Sequence, residues 1–414
     1  MENNITINNK IPQFRFPGFT GEWQEKKLNE VFSRVTRKNA ENNQNVLTIS
    51  AQYGLISQLE FFKKSVASSD VTGYYLLHKG EFAYNKSSSQ GRPVGAIKPL
   101  RLYDKGVVST LYICFKCNNP EEIDFWEQYF DAGILDSEIL SIAQEGARNH
   151  GLLNISTGDF FGLNVILPTP PEMKKIAECL SSFDDVITAA ENELDSLKAH
   201  KKGLMQQLFP QPGATTPALR FPGYSGEWEE KTFGELYKKN NIKNDLSFGV
   251  DKIISVANMY FKADANIGDK EYLKSYNVFR LGDIAYEGNK SANYAYGRFV
   301  ENSIGDGIVS HVFDVYSPIS KDHCFGYWKY AINYERIMRP VLEKSTIKST
   351  MMTNLIAKDF LKQKTLVPTP AEQQKIAECL EAEDRMISVQ EQKVESLKTH
   401  KKGLMQQLFP QLQK

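Results

Sequence analysis

The sequence contains the same long segments twice, about 200 residues apart. Residues 196–211 read SLKAHKKGLMQQLFPQ and residues 396–411 read SLKTHKKGLMQQLFPQ, so the two copies differ only at Ala199 and Thr399. A second repeat lies nearer the start, where RFPGFTGEW at 15–23 returns as RFPGYSGEW at 220–228. An internal repeat of this length predicts two copies of a whole domain, related by a pseudo-twofold axis.

Composition places the chain among ordinary globular proteins. Its 414 residues are enough for two or three domains, and 41% apolar with 24% charged residues is typical of such domains. No run approaches the 18 apolar residues of a membrane span. The first ten residues, MENNITINNK, lack the apolar core of a signal peptide. We therefore expect a disordered lead-in over 1–13, a cytoplasmic protein and five reduced cysteines.

Charge gives no direct sign of a nucleic-acid partner. The net charge is zero; residues 1–170 carry 17 basic and 18 acidic residues (net −1), and residues 215–370 carry 21 and 18 (net +3). If the chain binds DNA, its charges must be segregated on one face, or a partner must supply part of the phosphate-binding surface.

Two long helices are predicted at 171–210 and 371–414. Prolines mark both starts and both ends, and a helix of about 37 residues would be about 55 Å long. Apolar residues recur at alternating spacings of three and four, which is typical of a coiled-coil seam. The seam residues are Ile176, Leu180, Ile187, Leu194, Leu197, Ile376, Leu380, Ile387, Val394 and Leu397.

The pseudo-twofold repeat predicts how these helices pair. Such an axis would run them antiparallel as a coiled coil. In the register that it suggests, Lys201 approaches Glu378 and Lys401 approaches Glu178.

Two domains, 14–170 and 219–370, precede the helices, with a linker at 211–218. Both are rich in short β-like runs bounded by Gly, Asn and Ser. GEFAY at 80–84 matches GDIAY at 282–286, and Asp159-Phe160 matches Asp359-Phe360, whereas the loops between these motifs differ. The predicted class is α+β: two mixed α/β domains joined by two long helices. One frame with two sets of loops favours binding of two different targets.

Motifs for catalysis and metal binding are missing from the sequence. We find no nucleotide-phosphate loop, dinucleotide fingerprint, zinc-protease helix or nucleophile elbow. The Cys114-Phe-Lys-Cys117 pair lacks further ligands, and residues three apart on a strand point to opposite faces. We expect neither a catalytic residue nor a metal site in this chain.

Polar segments follow the matched motifs in both domains, and they are the candidate DNA-binding residues. Arg and Lys bind guanine edges or phosphates, Asn and Gln suit adenine, and Ser suits either; an ordinary solvated loop has a similar composition. In the first domain the candidates are Lys86, Ser87, Ser88, Ser89, Gln90, Arg92, Arg148, Asn149 and His150. In the second they are Asn289, Lys290, Ser291, Asn293, Tyr294, Tyr296, Arg298, Lys344, Lys348 and Ser349.

The helix signatures resemble one known family. Each long helix begins with PTPPE (168–172) or PTPAE (368–372), continues through IAECL (176–180 and 376–380) and ends with KKGLMQQLF (201–209 and 401–409). With a variable domain before each helix, the chain resembles the specificity subunit of a type I restriction–modification system.

That resemblance implies a function and a set of partners. Two target-recognition domains would read the halves of an asymmetric, interrupted site in double-stranded DNA, with the helices as spacer. Two adenine-N6 methyltransferase subunits and two restriction subunits would join, and S-adenosylmethionine, ATP and Mg²⁺ would belong to those partners, with no cofactor in this chain. Gln373, Glu383 and Gln390, which interrupt the second seam, could face a methyltransferase subunit.

Two other functions stay open at this point. A stand-alone nuclease on a split site would need an acidic metal cluster, and Glu172-Met-Lys174 and Glu391-Gln-Lys393 resemble an E-x-K element. A protein scaffold without DNA binding could use the duplicated helices to join two protein partners.

Overall fold

Proline begins both long helices, because it lacks the backbone N–H that the first helical turn leaves unbonded. The central helix runs Pro170–Leu208 and the distal helix Pro370–Leu408, each of 39 residues. Both end just before the Phe-Pro of the repeated exit motif. Among the residues that the structure describes, no helix is both long and apolar enough to cross a bilayer.

The structure is a computed structural model, and it describes residues 10–50, 54–62, 70–88, 93–143, 151–262, 270–320, 322–348 and 352–410. The chain divides into two compact units. The first unit comprises Met1–Asn192 with Gln392–Lys414, and the second comprises Glu193–Glu391. Each unit therefore contains one domain and a segment of each long helix.

Short strands and short helices alternate in the first unit, as the turn-rich sequence predicts. The strands are β1 (Gln24–Lys27), β2 (Phe32–Arg34), β3 (Leu47–Ser50), β4 (Gly54–Ser57), β5 (Tyr75–His78), β6 (Phe82–Asn85), β7 (Ala96–Pro99), β8 (Lys105–Val108), β9 (Ile113–Cys117) and β10 (Asn164–Leu167). The helices are α1 (Leu28–Val31), α2 (Gln58–Phe62), α3 (Ile123–Asp131), α4 (Asp136–Ile142), α5 (Thr157–Phe161) and α6, the central helix.

The second unit follows a similar order, to which the strand pair β20-β21 is added. Its strands are β11 (Glu229–Thr232), β12 (Tyr237–Asn240), β13 (Ile254–Ser255), β14 (Tyr260–Phe261), β15 (Asn277–Phe279), β16 (Ile284–Glu287), β17 (Arg298–Glu301), β18 (Gly307–Val309), β19 (Val315–Pro318), β20 (Thr346–Lys348), β21 (Thr353–Leu355) and β22 (Lys364–Val367). Its helices are α7 (Phe233–Leu236), α8 (Phe325–Ala331), α9 (Glu335–Ser345), α10 (Ala357–Lys362) and α11, the distal helix.

One sheet arrangement appears in both units. The four-stranded antiparallel sheet has the order β2-β9-β6-β7 in the first unit and β12-β19-β16-β17 in the second. Three strand pairs are matched as well, β1-β10 with β11-β22, β3-β4 with β13-β14, and β5-β8 with β15-β18. The mixed α+β class predicted from the sequence is confirmed, and so is the duplication of its frame.

The seam of the long helices is antiparallel within each unit, as predicted. In the first unit Lys401 binds Asp184 at 2.5 Å and Lys398 binds Glu191 at 2.6 Å. The predicted register is wrong, however, because Lys401 was expected near Glu178. The domain explains the shift: Gln128 of α3 donates to the other oxygen of Asp184 at 2.8 Å, a contact that the helix sequence alone cannot show.

The second unit uses the same register. Lys201 binds Asp384 instead of the predicted Glu378, and Tyr330 of α8 donates to the second oxygen of Asp384 at 2.5 Å. The Lys201 ammonium also lies over the Tyr330 ring, 4.9 Å from the ring centroid. Domain and helices thus share one carboxylate in each unit.

Three polar residues on the distal helix, which could face a methyltransferase subunit according to the seam pattern, have partners inside the second unit. Gln373 is buried and donates to the Pro368 carbonyl at 2.9 Å. Glu383 lies 3.2 Å from the His200 ring, and Gln390 donates to Glu193 at 2.9 Å. A polar seam position can be satisfied by its own chain.

Burial along the two helices follows the predicted seam. Ile176, Leu180, Ile376 and Leu380 are almost fully buried, and Ile187 and Val394 are buried. The other predicted seam residues are half-buried: Leu194, Leu197, Ile387 and Leu397.

Each domain core encloses the phenylalanine that ends a long helix. In the first unit the Phe409 ring lies 6.3 Å from Trp23, 5.8 Å from Phe125 and 5.6 Å from Tyr129. Both Phe409 and Trp23 are buried. Aromatic packing of this kind stabilises a core by area and by ring geometry together. The first domain is therefore held by the end of the distal helix.

The second unit has the equivalent contact with the end of the central helix. The Phe209 ring lies 6.4 Å from Trp228, 5.7 Å from Tyr327 and 5.4 Å from Tyr334. The two tryptophans belong to the repeated GEW motif and the two phenylalanines to the repeated exit motif. The two repeats in the sequence therefore mark the two sides of one packing contact.

Candidate nucleic-acid interface

Two polar loops of equal length leave the matched sheets at the same place. The first polar loop, 86–95, follows β6, and the second polar loop, 288–297, follows β16. The motif tyrosine closes each loop: Tyr84 donates to the Val94 carbonyl at 2.7 Å, and Tyr286 donates to the Tyr296 carbonyl at 2.6 Å. The frame is shared although the loop sequences differ.

A glycine ends each loop for a steric reason. Gly95 has φ +81° and Gly297 has φ +75°, a region that side chains rarely adopt. A Cβ would lie 2.0 Å from the Asn85 carbonyl oxygen in the first loop and 2.5 Å from the Glu287 carbonyl oxygen in the second. Only glycine therefore allows the loop to return this close to its own strand.

A second segment lies alongside the first polar loop. Ser87 forms an antiparallel bridge with Leu152. Ser88 donates its backbone N–H to the Gly151 carbonyl at 2.7 Å, and Leu153 donates to the Lys86 carbonyl at 3.0 Å. The structure thus brings the loop beside residues 151–153, which directly follow the second predicted polar run.

The second unit repeats this pairing position for position. Asn289 bridges Met352, and Thr353 donates to the Gly288 carbonyl at 2.8 Å. Counting from the matched tyrosines aligns Ser87 with Asn289, and counting from Asp159 and Asp359 aligns Leu152 with Met352. The bridge in each unit therefore joins residues at equivalent positions of the two sequence repeats.

Several candidates lie outside the described residues. These are Ser89, Gln90, Arg92, Arg148, Asn149, His150 and Ser349. Lys348 is described as the last residue of β20, opposite Thr353.

The described candidates of the first domain cluster at the start of its loop. Ser87 and Ser88 are exposed, whereas Lys86 is half-buried. The Lys86 ammonium lies 3.5 Å from the Ile155 carbonyl, which directs its stem along the paired segment.

In the second domain Asn289, Ser291 and Asn293 are exposed, and Lys290 and Tyr294 are half-buried. Reciprocal backbone hydrogen bonds between Ser291 and Tyr294, of 3.1 and 3.2 Å, hold the turn at the loop tip. Lys344 is also exposed, in the last turn of α9, where a cation complements the helix dipole.

Two candidates of the second domain have their polar groups turned inward. Tyr296 is buried, and its hydroxyl donates to Glu343 at 2.7 Å. Arg298 lies on β17, donates to Glu287 at 2.8 Å and to the Ala257 carbonyl at 2.7 Å, and stands 5.1 Å above the Tyr294 ring. Both therefore shape the loop from inside the domain, a role that polarity alone did not reveal.

Sequence reasoning passed over three residues near these loops. Leu152 and Met352, the bridge partners, are 42% and 47% exposed although both are apolar. Lys329 of α8 lines a cleft of about 540 Å³ together with Asn293 and Tyr294 of the second loop. Only the pairing of distant segments identifies them, because neither their spacing nor their composition is distinctive.

The two cysteines of β9 are packing residues. Cys114 and Cys117 are buried on β9 and pack into two different apolar clusters, as expected for residues three apart on a strand. Burial raises the pKa of the Cys114 thiol to about 12 and that of Cys117 to about 11. Within the described part of the chain, no group of three or more His, Cys, Asp or Glu side chains is placed to hold a metal ion.

Comparison with known proteins agrees with the predicted resemblance. No family model matches the chain. The type I restriction enzyme MjaVIII specificity subunit of Methanocaldococcus jannaschii is 21% identical over 305 residues, which is 65% of this chain and 66%, just under two thirds, of that protein.

Solved structures match over almost the whole chain. The type I restriction–modification S subunit from M. genitalium superposes with a TM-score of 0.54 at 14% identity, covering 97% of this chain and 100% of that one. A chain from a study of complex assembly and conformational transition of the type I R-M system gives 0.53 at 14%, covering 96% and 99%. By fold and by sequence, the chain is similar to the specificity subunits of type I restriction–modification systems.

Proposed function

We propose that this chain is the DNA-reading specificity subunit of a type I restriction–modification system. The observation that carries the proposal is the matched pair of polar segments in each unit, with one frame and different side chains. Serine, asparagine and lysine side chains on exposed loops suit both base edges and phosphates.

The proposed target is an asymmetric, interrupted site in double-stranded DNA. The first loop begins Lys-Ser-Ser and the second Gly-Asn-Lys at equivalent positions, so the donors and acceptors that they offer differ. Two different readers favour two different half-sites. The long helices, about 58 Å each at 1.5 Å per residue, would set the unread gap.

Partner subunits would complete the complex in the cytoplasm. The described cations near the loops are few: Lys86 in the first unit and Lys201, Lys290, Arg298, Lys329 and Lys344 in the second. Lys201 and Arg298 are also paired with carboxylates of the chain. Phosphate contacts dominate DNA affinity, so two methyltransferase subunits would supply part of the clamp. Adenine-N6 methylation with S-adenosylmethionine, and restriction with ATP and Mg²⁺ by two further subunits, would belong to those partners.

The glutamates of the two E-x-K elements, which a nuclease would need as metal ligands, have other partners. Glu172 is buried and receives two hydrogen bonds from Arg15, each 2.7 Å long. Glu391 pairs with Lys198 at 2.8 Å on the opposing helix. Carboxylates engaged in this way serve packing and pairing, so neither E-x-K element is arranged to bind a metal ion.

Loop substitutions test the proposal. The chain is co-expressed with its methyltransferase subunits, and the methylated sequences are read after Lys86→Ala with Ser87→Ala, or after Asn289→Ala with Lys290→Ala. Each pair should relax or weaken one half-site and leave the other unchanged. Equal disturbance of both half-sites by either pair would refute the two-reader model.

A further inference from the structure

Leu152 and Met352 are apolar side chains that lie exposed beside the two polar loops. Each is more than two-fifths exposed, and each is the bridge partner of an exposed polar residue, Ser87 or Asn289. Antiparallel partners present their side chains on the same face, with Cβ atoms roughly 4.5–5.5 Å apart. Each unit therefore offers one polar and one apolar group side by side.

The placement of these pairs distinguishes them from exposed apolar residues at the opposite end of the sheet. β6 runs toward its loop, and β7 and β9 lie antiparallel to it, so Leu152 lies at the loop end of the sheet. Leu102, which follows β7, and Leu281, which precedes β16, lie at the opposite end and are exposed to a similar degree, 56% and 46%. Exposed apolar residues are common on protein surfaces, and Leu111 and Val312 also recur at matched positions before β9 and β19. What distinguishes Leu152 and Met352 is the bridge that each forms with its polar loop.

A polar group beside an apolar one matches the major-groove edge of a T·A pair. Thymine presents its O4 acceptor next to its C5-methyl group, and adenine presents N7 and the N6 amino group. An asparagine amide suits the adenine edge and a serine hydroxyl suits either base, while an aliphatic side chain suits the methyl group. A protein-docking site would instead need a larger continuous apolar patch.

Resting on the function proposed above, we propose that Leu152 and Met352 are specificity-determining residues that contact a thymine methyl group in their respective half-sites. Ser87 and Asn289 read the polar edge of the same or the adjacent base pair. Each half-site then contains at least one T·A pair whose methyl group the protein detects.

Duplexes with deoxyuridine in place of single thymines test this inference, because uracil differs from thymine only by the methyl group. The complex of the chain with its methyltransferase subunits is titrated with such duplexes. One position in each half-site should weaken binding by roughly three- to tenfold, as expected for one buried methyl group. Leu152→Ala should cause the same loss on the thymine duplex and no further loss with deoxyuridine, in one half-site only; Met352→Ala should do so in the other.

Leu102→Ala and Leu281→Ala are the matched controls and should leave the deoxyuridine effect intact. Specific binding without any deoxyuridine-sensitive position, a half-site without a T·A pair, or Leu152→Ala and Met352→Ala complexes that keep full sensitivity would overturn this inference and leave the proposed function standing. Absence of specific DNA binding by the complex would overturn both.

Discussion

Arg15 and Glu172 form a two-point ion pair across 157 residues of sequence, with Nε–Oε1 and Nη2–Oε2 distances of 2.7 Å. Arg220 and Glu372 repeat it at 2.7 and 2.8 Å in the second unit. Both glutamates are 1% exposed. The pair joins the RFPG repeat to the first turn of the long helix that follows the same domain, so two separate sequence repeats are two halves of one contact.

Loss of this pair should destabilise the unit that contains it. Arg15→Ala leaves the Glu172 carboxylate buried without its cation, which costs about 3–5 kcal/mol. Urea unfolding should show this loss, whereas Lys10→Ala, which removes the exposed ion pair with Glu25, should cost less than about 1 kcal/mol. Similar losses for the two variants would contradict the assigned role.

The shared seam carboxylate should set the register of the helices. Asp184→Lys places two cations together opposite Lys401 and should cost on the order of 1–2 kcal/mol, since the pair is only partly exposed. The swap Asp184→Lys with Lys401→Asp should recover part of that loss in a double-mutant cycle. Additive losses would show that the pair does not interact.

A buried carboxyl group makes the stability of the second unit depend on pH. Burial raises the pKa of Glu301 from 4.5 to about 9 and lowers that of His323, 3.9 Å away, from 6.5 to about 4. Folding must therefore protonate Glu301 above pH 4.5, and this cost grows until pH 9. His323 is neutral in both the folded and the unfolded chain above pH 6.5, so it does not affect stability there. Below pH 6.5 the unfolded chain binds a proton at His323 more readily, and the folded state loses stability as pH falls toward 4.

Between pH 6.5 and 9 folding changes the protonation of Glu301 but not that of His323. The free energy of unfolding of the second unit should therefore fall with rising pH by at most about 1.4 kcal/mol per pH unit from this glutamate. Glu301→Gln should remove that slope in chemical denaturation at pH 6.5, 7.5 and 8.5. The first unit is the internal control, because Pro99 occupies the equivalent strand position. A slope that survives Glu301→Gln would have another source.

The long helices allow a direct test of the spacer. Inserting seven residues into both, one heptad each, preserves the seam and adds about 10 Å. The tolerated gap should then grow by about three base pairs at 3.4 Å each, with unchanged half-sites. An unchanged gap length after the insertion would show that the length of the helices does not determine the gap.

Elements set by local pattern were predictable. The 3,4 spacing and the flanking prolines predicted both helices because helix periodicity is a property of adjacent turns. The register of the helix pairing was not predictable from the helix sequences. It depends on Gln128 and Tyr330 of the domains, which bind the seam aspartates across long sequence separations. Tyr296 shows the same limit at the candidate site: polarity suggested a DNA contact, and burial against Glu343 assigns it to the core.

We infer that two different readers in one chain direct adenine methylation to one interrupted sequence. Mapping N6-methyladenine across the host genome, with and without this gene, tests it most directly. We expect an asymmetric two-part motif that is methylated only when the gene is present and that changes in one half when one polar loop is substituted. An unchanged methylation map after deletion of the gene would contradict it.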